Sequence, residues 1–333
     1  MFSHRVVIRI IYVFALLLLV AAAAGLYVLL QSKEYAFEHV AEPVAAETLP
    51  FPVGVDPETR TIVEADLFNA YTNENLAIAE DTQNSFWENI LAVFTKKEWY
   101  QNLASPVSRI VVIWPGDRKE EAAKNIGDIL RWNEEDREEF ISLITTTEPV
   151  MVEGTFYPGK YMAHRGATPE DMAILIQQQF NDEIKNRYTP EVAEKVPLQD
   201  ALIIASLLER EASDFENMRE VSGVIWNRLF IDMPLQLDAT LQYVRGSRAT
   251  ESSWWPVPRP ADKYLNSPYN TYQNEGLPPA PIANPSADAV LAALNPSPTD
   301  CLYYFHDSYG GYHCSIDYEE HVRKLKAAYG RGQ

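Results

Sequence analysis

The chain is poor in the residues that build metal and redox sites. Its 333 residues include only two cysteines and six histidines. A structural zinc site needs four such ligands at close, paired spacings, and the two cysteines and the scattered histidines do not show that pattern. The chain also has no Gly-x-Gly-x-x-Gly string and no phosphate-binding loop. We therefore expect neither a metal nor a cofactor.

Positive charge is scarce as well. The chain carries 28 Lys and Arg residues against 47 Asp and Glu, which gives a formal net charge of -19. Such a surface repels nucleic acid and offers no basic face for a phosphate backbone. We therefore expect no nucleic-acid partner. Hydrophobic residues make up 47% of the chain, enough for one or two domains with a proper core.

One long hydrophobic run is present near the N-terminus. It extends without a charge from Ile10 to Leu30, and as a helix it would span about 30 Å, the thickness of a bilayer core. Arg5 and Arg9 precede it, so the positive-inside rule puts the N-terminus in the cytoplasm and the rest outside. A cleavable signal peptide is the alternative, because residues 21–25 are small. The apolar run continues past them, which favours an uncleaved single-pass anchor over residues 1–31 in the cytoplasmic membrane.

Residues 32–105 are irregular in pattern and are interpreted as a stalk or accessory segment. At residue 106 the pattern changes to a β-rich run, Arg109–Trp114, followed by a turn. Asp117 and Glu120 have the spacing of a capping box that opens a helix. A second helix is predicted over about Glu134–Ile144, with apolar residues at helical spacing. Residues 106–149 are therefore predicted to form a small subdomain of one strand and two helices.

Residues 150–333 are predicted to form a helix-rich domain, so that the fold class is α+β. Val150–Pro158 is predicted to be a strand leading into a turn, and residues 233–284 read as long loops. Helix starts are predicted at several capping or proline signals. These signals are Thr168, Thr189, the pair Ser213 and Glu216, Ser286, and Asp317.

A β-hairpin is predicted over Cys301–Ser315, in a compartment that permits disulfides. With its turn at Ser308–Gly311, the simple register sets Cys314 opposite Tyr304 rather than opposite Cys301. The spacing alone therefore does not predict a bridge between the two cysteines.

The most informative string is an apolar helix, residues 202–213, that runs into two carboxylates. At about 100° per residue, Glu211 prolongs the stripe of Leu207 and Leu208, whereas Glu209 points about 200° away from it. Only one of the two acids should therefore reach a given cleft. Burial disfavours an ionised carboxylate and raises its pKa, which is what a general acid requires. The plain alternative is a solvated helix end whose acids pair with Arg210 or Arg228.

Several separated strings in this order and spacing resemble the MltG or YceG-like endolytic murein transglycosylases. The strings are Glu153–Pro158, Leu207–Glu211, Trp226–Leu229, Met233–Thr240, Ser267–Tyr272 and Gly276–Pro285. The resemblance covers the chain from about Arg109 to the final helix. It implies a membrane-anchored enzyme with a LysM-like subdomain at 106–149 and a catalytic domain at 150–333. The implied partners are peptidoglycan glycan strands, cell-wall synthases and the membrane.

The resemblance further implies lytic cleavage between N-acetylmuramic acid and N-acetylglucosamine, which leaves a 1,6-anhydro end. The second Glu of the Glu-x-Glu string carries the chemistry, so Glu211 is the predicted acid and then base. Glu209 is predicted to orient groups within the wall of the site or to pair with Arg228. Asp238 is the best second carboxylate.

The remaining candidates are amide, hydroxyl and aromatic side chains suited to sugar hydroxyls and pyranose faces. Predicted to bind substrate are Glu209, Asn227, Arg228, Gln236, Asp238, Thr240, Tyr269, Asn270, Thr271 and Tyr272. The alternative for the Asn and Thr residues is turn building through their own backbone. Trp254 and Trp255 are either a glycan-stacking rim or local packing.

Some positions depart from the family pattern. Ala239 stands where the family usually has proline, and Ala280 and Ser286 stand where it has glycine. Tyr312 and Cys314 stand where it has histidine and an aromatic residue, which argues against a contribution of the hairpin to the cleft unless His313 substitutes.

Two other functions stay open. One is a lysozyme-type hydrolase in which Asp238 or Glu209 activates water. The other is an inactive wall-binding scaffold.

Overall fold

The computed structural model describes residues 49–63, 65, 68, 108–147, 150–151, 153–248 and 250–330. The predicted membrane anchor and most of the predicted stalk lie outside these residues. Within them, no helix combines the length and the apolar character that crossing a bilayer requires.

The described elements are short strands and medium-length helices. The strands are β1 (Val55–Asp56), β2 (Thr61–Ile62), β3 (Ser108–Ile113), β4 (Thr146–Thr147), β5 (Val150–Met151), β6 (Gly159–His164), β7 (Tyr303–His306) and β8 (Tyr312–Ser315). The helices are α1 (Lys119–Leu130), α2 (Glu134–Ile144), α3 (Pro169–Glu183), α4 (Pro190–Lys195), α5 (Leu198–Glu211), α6 (Phe215–Phe230), α7 (Asp238–Gly246), α8 (Ala287–Leu294) and α9 (Tyr318–Tyr329). Two 3-10 turns, Lys185–Arg187 and Pro260–Tyr264, complete the set. The mixture confirms the α+β class.

The core is built around α5, the helix that carries the two acids. Every residue from Ala201 to Leu208 is buried, so the helix is apolar on all sides rather than along one stripe. Helices α6, α7 and α8 pack against it. Position around the helix therefore does not distinguish Glu209 from Glu211. The groups that surround each acid do.

A second hydrophobic cluster surrounds the strand pair β3 and β6. It includes residues of α1, α2 and β6 and extends into α3 as far as Ile176. The cluster thus continues beyond residue 149, where the sequence suggested a boundary. Both clusters lie in one compact unit made of residues 47–83 and 109–333.

Most helix starts follow their local signals. Helix α2 has the predicted bounds, and the side chains of Thr168, Ser286 and Asp317 cap α3, α8 and α9. The prediction of a capping box at Asp117 and Glu120 is wrong. The Asp117 carboxylate instead accepts from the backbone N–H of Trp114 in the preceding turn, at 2.9 Å.

A further expectation is wrong. Asp214, rather than Ser213, caps α6, because its carboxylate accepts from the backbone N–H of Asn217 at 3.0 Å. A carboxylate there also interacts favourably with the helix dipole.

The region 233–284 contains helix α7 as well as loops. This helix has only nine residues, and its buried positions show no long periodic run from which sequence could predict it.

The hairpin has the predicted register, in which Tyr304 pairs with Cys314. Cys301 and Cys314 nevertheless form a disulfide, with Cα atoms 5.8 Å apart. Cys301 lies two residues before β7, where the chain has left the regular ladder. A residue outside the ladder is not bound by its register, which is why spacing could not decide this bridge.

Candidate active site

Glu211 is the last residue of α5 and lies half-buried at the mouth of a cleft. One carboxylate oxygen, Oε2, accepts from the hydroxyl of Tyr304 at 2.9 Å. The other, Oε1, accepts from the backbone N–H of Ala239 at 3.4 Å. Both donors are neutral. The carboxylate is therefore oriented by the hairpin on one side and by the start of α7 on the other, and no described residue forms an ion pair with it.

Burial raises the pKa of Glu211 to about 7. The hydrogen bonds from Tyr304 and Ala239 and the charge of Arg210 oppose this rise, and the charge of Asp238 adds to it. The desolvation effect is the largest of these contributions. Near neutral pH the group is thus present in both protonated and ionised forms, which suits a residue that gives and then takes a proton.

The cleft beside Glu211 has a volume of about 850 Å³ and is open to solvent. Most of its walls come from the segment from residue 233 into α7, the β7 strand, and the first turn of α9. The lining residues are Glu211, Arg228, Met233, Leu235, Gln236, Leu237, Asp238, Lys263, Tyr272, Tyr303, Tyr304, Phe305, His306, Tyr318 and His321. This mixture of aromatic and polar side chains is suited to an uncharged polar ligand.

Four of the ten predicted binding residues line this cleft together with Glu211: Arg228, Gln236, Asp238 and Tyr272. The exposed Asp238 carboxylate accepts from the hydroxyl of Tyr272 at 2.8 Å. Gln236 has a left-handed backbone with φ of 50°. This conformation is unusual for a residue with a side chain and is often found where a loop builds a site.

Arg228 is 7% exposed and lines the cleft without an ion pair to any described carboxylate. Its Nε donates to the carbonyl of Leu302 at 2.6 Å, and its Nη1 donates to the carbonyl of Leu235 at 2.5 Å. These bonds join the hairpin to the segment that begins at Met233. The expected pairing of Arg228 with Glu209 is therefore wrong.

Glu209 faces away from this cleft. Its Oε1 accepts from both the backbone N–H and the hydroxyl of Ser286, at 2.8 and 2.5 Å. Burial raises its pKa, and the bonds from Ser286 oppose that rise. Because Ser286 caps α8, Glu209 anchors the start of that helix against α5.

The other predicted binding residues have hydrogen bonds or ring contacts inside the protein. The Asn270 side chain donates to the carbonyls of Lys263 and Leu265 and so holds its own loop. The buried hydroxyls of Thr240 and Thr271 lie 3.0 Å apart. These contacts support the turn-building alternative for this group.

Two more predicted residues also lie outside the cleft lining. The Asn227 side chain donates to the carbonyls of Thr299 and Cys301, which lead into the hairpin. The Tyr269 ring packs on the Tyr243 ring at 5.0 Å. Like the buried threonines, they position the walls of the site.

The rings of Trp254 and Trp255 each lie close to an arginine guanidinium. The Arg210 guanidinium lies 3.9 Å from the Trp255 ring, and the Trp255 indole N–H donates to Glu121 at 2.9 Å. Arg118 lies 5.2 Å from the Trp254 ring. Cation–π contacts of this kind stabilise local packing, and neither ring lines the cleft.

Sequence reasoning missed the hairpin. It argued against a contribution of the hairpin to the cleft, whereas all four residues of β7 line it and Tyr304 holds the candidate acid. That expectation is wrong because it rested on Tyr312 and Cys314, which lie on β8. His313 does not substitute, since its ring bonds to Asp307 at 2.8 Å outside the cleft. No local signal pairs Tyr304 with an acid 93 residues earlier.

The fold and the site thus define an α+β protein with one half-buried acid at the head of an aromatic and polar cleft. The YceG-like family model matches residues 60–327. The chain therefore belongs to the YceG-like family.

Curated relatives and a solved structure agree with this assignment. An endolytic murein transglycosylase of Bacillus subtilis is 34% identical over 179 residues, 54% of this chain and 48% of that protein. One of Streptococcus pneumoniae is 30% identical over 175 residues, 52% of this chain and 32% of that protein. The matches thus span half or less of the relatives' own lengths. A crystal structure of a YceG-like protein from Listeria monocytogenes is 25% identical with a TM-score of 0.55, covering 65% of this chain and 75% of that one.

Proposed function

We propose that this chain is an endolytic peptidoglycan transglycosylase. It cleaves the bond between N-acetylmuramic acid and N-acetylglucosamine in nascent glycan strands and leaves 1,6-anhydro ends. The observation that carries the proposal is Glu211, a half-buried acid with a pKa of about 7 at the head of an open cleft. Membership of the YceG-like family and the names of the curated relatives support the choice of substrate.

In the proposed reaction a single carboxyl group acts twice. Protonated Glu211 donates its proton to the glycosidic oxygen as that bond breaks and the muramoyl ring develops oxocarbenium character. The resulting carboxylate then takes the proton from the muramoyl C6 hydroxyl. That oxygen bonds to the anomeric carbon and closes the anhydro ring in place of water, so the proton on the enzyme is restored.

The neighbouring groups suit both halves of this cycle. The Tyr304 hydroxyl and the Ala239 backbone N–H donate to the ionised form of Glu211, so the carboxylate left by the first step is stabilised without a cation. Asp238 presents a negative charge on the same wall, where it would stabilise positive charge on the sugar. Tyr272 holds that carboxylate through its hydroxyl.

The membrane location belongs to the same proposal. The run from Ile10 to Leu30 would anchor the chain in the cytoplasmic membrane, with the cleft outside, where glycan strands are made. Cell-wall synthases that produce these strands are the proposed protein partners. The LysM-like character of residues 106–149 and a stalk at 32–105 also remain proposals.

The test is a digestion of purified glycan strands followed by mass analysis of the new ends. The wild-type chain should produce 1,6-anhydro ends, and Glu211→Gln should produce none while keeping its fold by circular dichroism. Asp200→Asn is a matched control. Asp200 is also a partly buried acid of α5 with a raised pKa, but it lies 11 residues earlier, about 16 Å along the helix axis.

The same digestion separates the two rival functions. Reducing ends in place of anhydro ends, with activity lost in Asp238→Asn, would identify a hydrolase in which Asp238 activates water. An unchanged strand-length distribution with wild-type protein would identify a wall-binding scaffold.

A further inference from the structure

The cleft continues beyond the candidate acid. It follows β7 to the first turn of α9, where Tyr303, Tyr318 and His321 line it. The ring centroid of Tyr303 lies 5.7 Å from that of Tyr318 and 5.5 Å from that of His321. Tyr318 and His321 are 6.3 Å apart. These three rings form one contiguous surface, which we call the C-terminal platform.

The C-terminal platform does not belong to the hydrophobic core. No residue of α9 is buried, and Tyr318 is 64% exposed. An aromatic ring contributes most to stability when its faces are removed from water, so Tyr318 contributes little to the fold. A single exposed ring is ordinary, but grouped rings on the wall of a cleft are typical of a binding surface.

The C-terminal platform belongs to the same cleft as Glu211. Its three rings line that cleft, and Tyr303 is next to Tyr304 on β7. Tyr303 and Tyr304 are consecutive residues of β7, about 3.3 Å apart along the strand, and their side chains leave opposite faces. Tyr304 points to Glu211, whereas the Tyr303 ring contacts α9. The rings of both residues nevertheless line the same cleft as Glu211, so a linear ligand with one bond at Glu211 can extend along this wall onto the platform.

The chemistry of the platform fits an uncharged ring with hydroxyl groups. Burial and the charge of Arg228 lower the pKa of His321, which favours the neutral imidazole. The Arg228 guanidinium lies 5.3 Å from the centroid of the Tyr303 ring and directs its Nε and Nη1 to backbone carbonyls. The surface thus offers flat apolar faces edged by hydroxyl and imidazole groups. A pyranose presents a complementary apolar C–H face and a rim of hydroxyls.

We propose that the C-terminal platform is a saccharide subsite, on which Tyr303, Tyr318 and His321 bind a further pyranose ring of the glycan strand held at Glu211. This inference rests on the proposed function for the identity of the polymer. It follows that strands long enough to reach α9 bind more tightly than those that fill only the vicinity of Glu211.

The experiment measures binding rather than cleavage. The full chain with Glu211→Gln is titrated calorimetrically with peptide-free glycan oligosaccharides of increasing length. We expect affinity to rise once the oligosaccharide reaches the platform. Adding Tyr318→Ala should weaken binding of the long oligosaccharides by about 3- to 10-fold, the size of one lost aromatic contact. Binding of the shortest ones should not change.

Two variants control for loss of structure. Tyr318→Phe keeps the ring and loses only the hydroxyl, so it should retain the gain in affinity with oligosaccharide length and lose less affinity than Tyr318→Ala. Tyr309→Ala makes the same change as Tyr318→Ala at the tip of the hairpin, where the side chain is 97% exposed and outside the cleft lining, and should bind like the parent. Equal affinity of Tyr318→Ala and the parent at every length overturns the inference, as does an effect seen only with peptide-bearing strands.

The outcomes separate this inference from the proposed function. Wild-type protein that yields 1,6-anhydro ends, with no length-dependent effect of Tyr318→Ala, removes the subsite and keeps the activity. A length-dependent effect without anhydro ends keeps a saccharide subsite and removes the proposed reaction.

Discussion

Glu153 and Glu211 are two acids of one chain that differ in their surroundings. Burial raises the pKa of both, to about 8 for Glu153 and about 7 for Glu211. Glu153 is fully buried, and its carboxylate accepts from the backbone N–H of Lys119 at 2.9 Å. Glu211 is held by two neutral donors and opens onto a cleft of about 850 Å³.

A raised pKa is therefore not enough to identify a catalytic acid. Glu153 has the larger shift, yet it does not line the cleft, and its Oε2 caps the first turn of α1. Structural acids at a packed junction are perturbed by the same desolvation as acids at a site. Access to a ligand separates the two, and only Glu211 has it.

The largest expected contrast is in activity. Glu211→Gln should lower the rate of glycan cleavage by about 10²–10⁴-fold, the usual contribution of a general acid. Glu153→Gln should retain most of the wild-type rate, because the amide oxygen can still accept from Lys119. The rates are compared by counting new strand ends at equal protein concentration. A loss of similar size in both variants would remove the distinction.

The second contrast is in stability against pH. The folded-state pKa of Glu153 lies above its ordinary value of 4.5, so the native state binds more protons than the unfolded state between about pH 4.5 and 8. The free energy of unfolding should therefore fall as the pH rises through this window.

Glu153→Gln cannot ionise and should be more stable than wild type at pH 8 by about 1–3 kcal/mol. The gain should disappear near pH 4.5. Urea unfolding of both chains at several pH values measures it. A variant less stable than wild type at pH 8 would mean that the ion pair between Glu153 and the Lys119 ammonium, at 3.6 Å, outweighs the cost of burial.

A smaller effect is expected at the hydroxyl that donates to Glu211. The hydrogen bond from Tyr304 lowers the pKa of Glu211, so Tyr304→Phe should raise it. The first step requires protonated Glu211, and the loss of activity at high pH should therefore begin at higher pH in the variant. We also expect a rate reduced about two- to tenfold, the net contribution of one ordinary hydrogen bond.

Tyr312→Phe is the matched control for this change. The Tyr312 ring stacks on Tyr304 at 6.0 Å, but its hydroxyl donates to the carbonyl of Glu220. Its pH–rate profile should coincide with that of wild type. A shift of equal size in both variants would point to hairpin packing rather than to the hydrogen bond.

The smallest effect concerns the neighbouring charge. Asp238 raises the pKa of Glu211, so Asp238→Asn should move the fall in activity to slightly lower pH. Because Asp238 is exposed, solvent screens this interaction, and the shift should be a fraction of a pH unit. Its direction, opposite to that of Tyr304→Phe, is the feature to measure.

Local sequence determined most of the helices, several of their caps and the chemical candidates. Thr168, Ser286 and Asp317 act within one turn of their own position, so their signals need no tertiary information. The apolar run before Glu209 and Glu211 predicted a core helix for the same reason. The ordered strings that resemble the family added the choice between the two acids.

Tertiary packing alone decided what surrounds the acid. Tyr304 reaches Glu211 only because the hairpin folds back on α6, and the disulfide forms because Cys301 lies outside the ladder. Asn270 and Thr271 turned out to be buried, although their side chains are equally suited to sugars and to turns. Burial and hydrogen bonding depend on segments far apart in the chain, and sequence spacing carries no record of those distances.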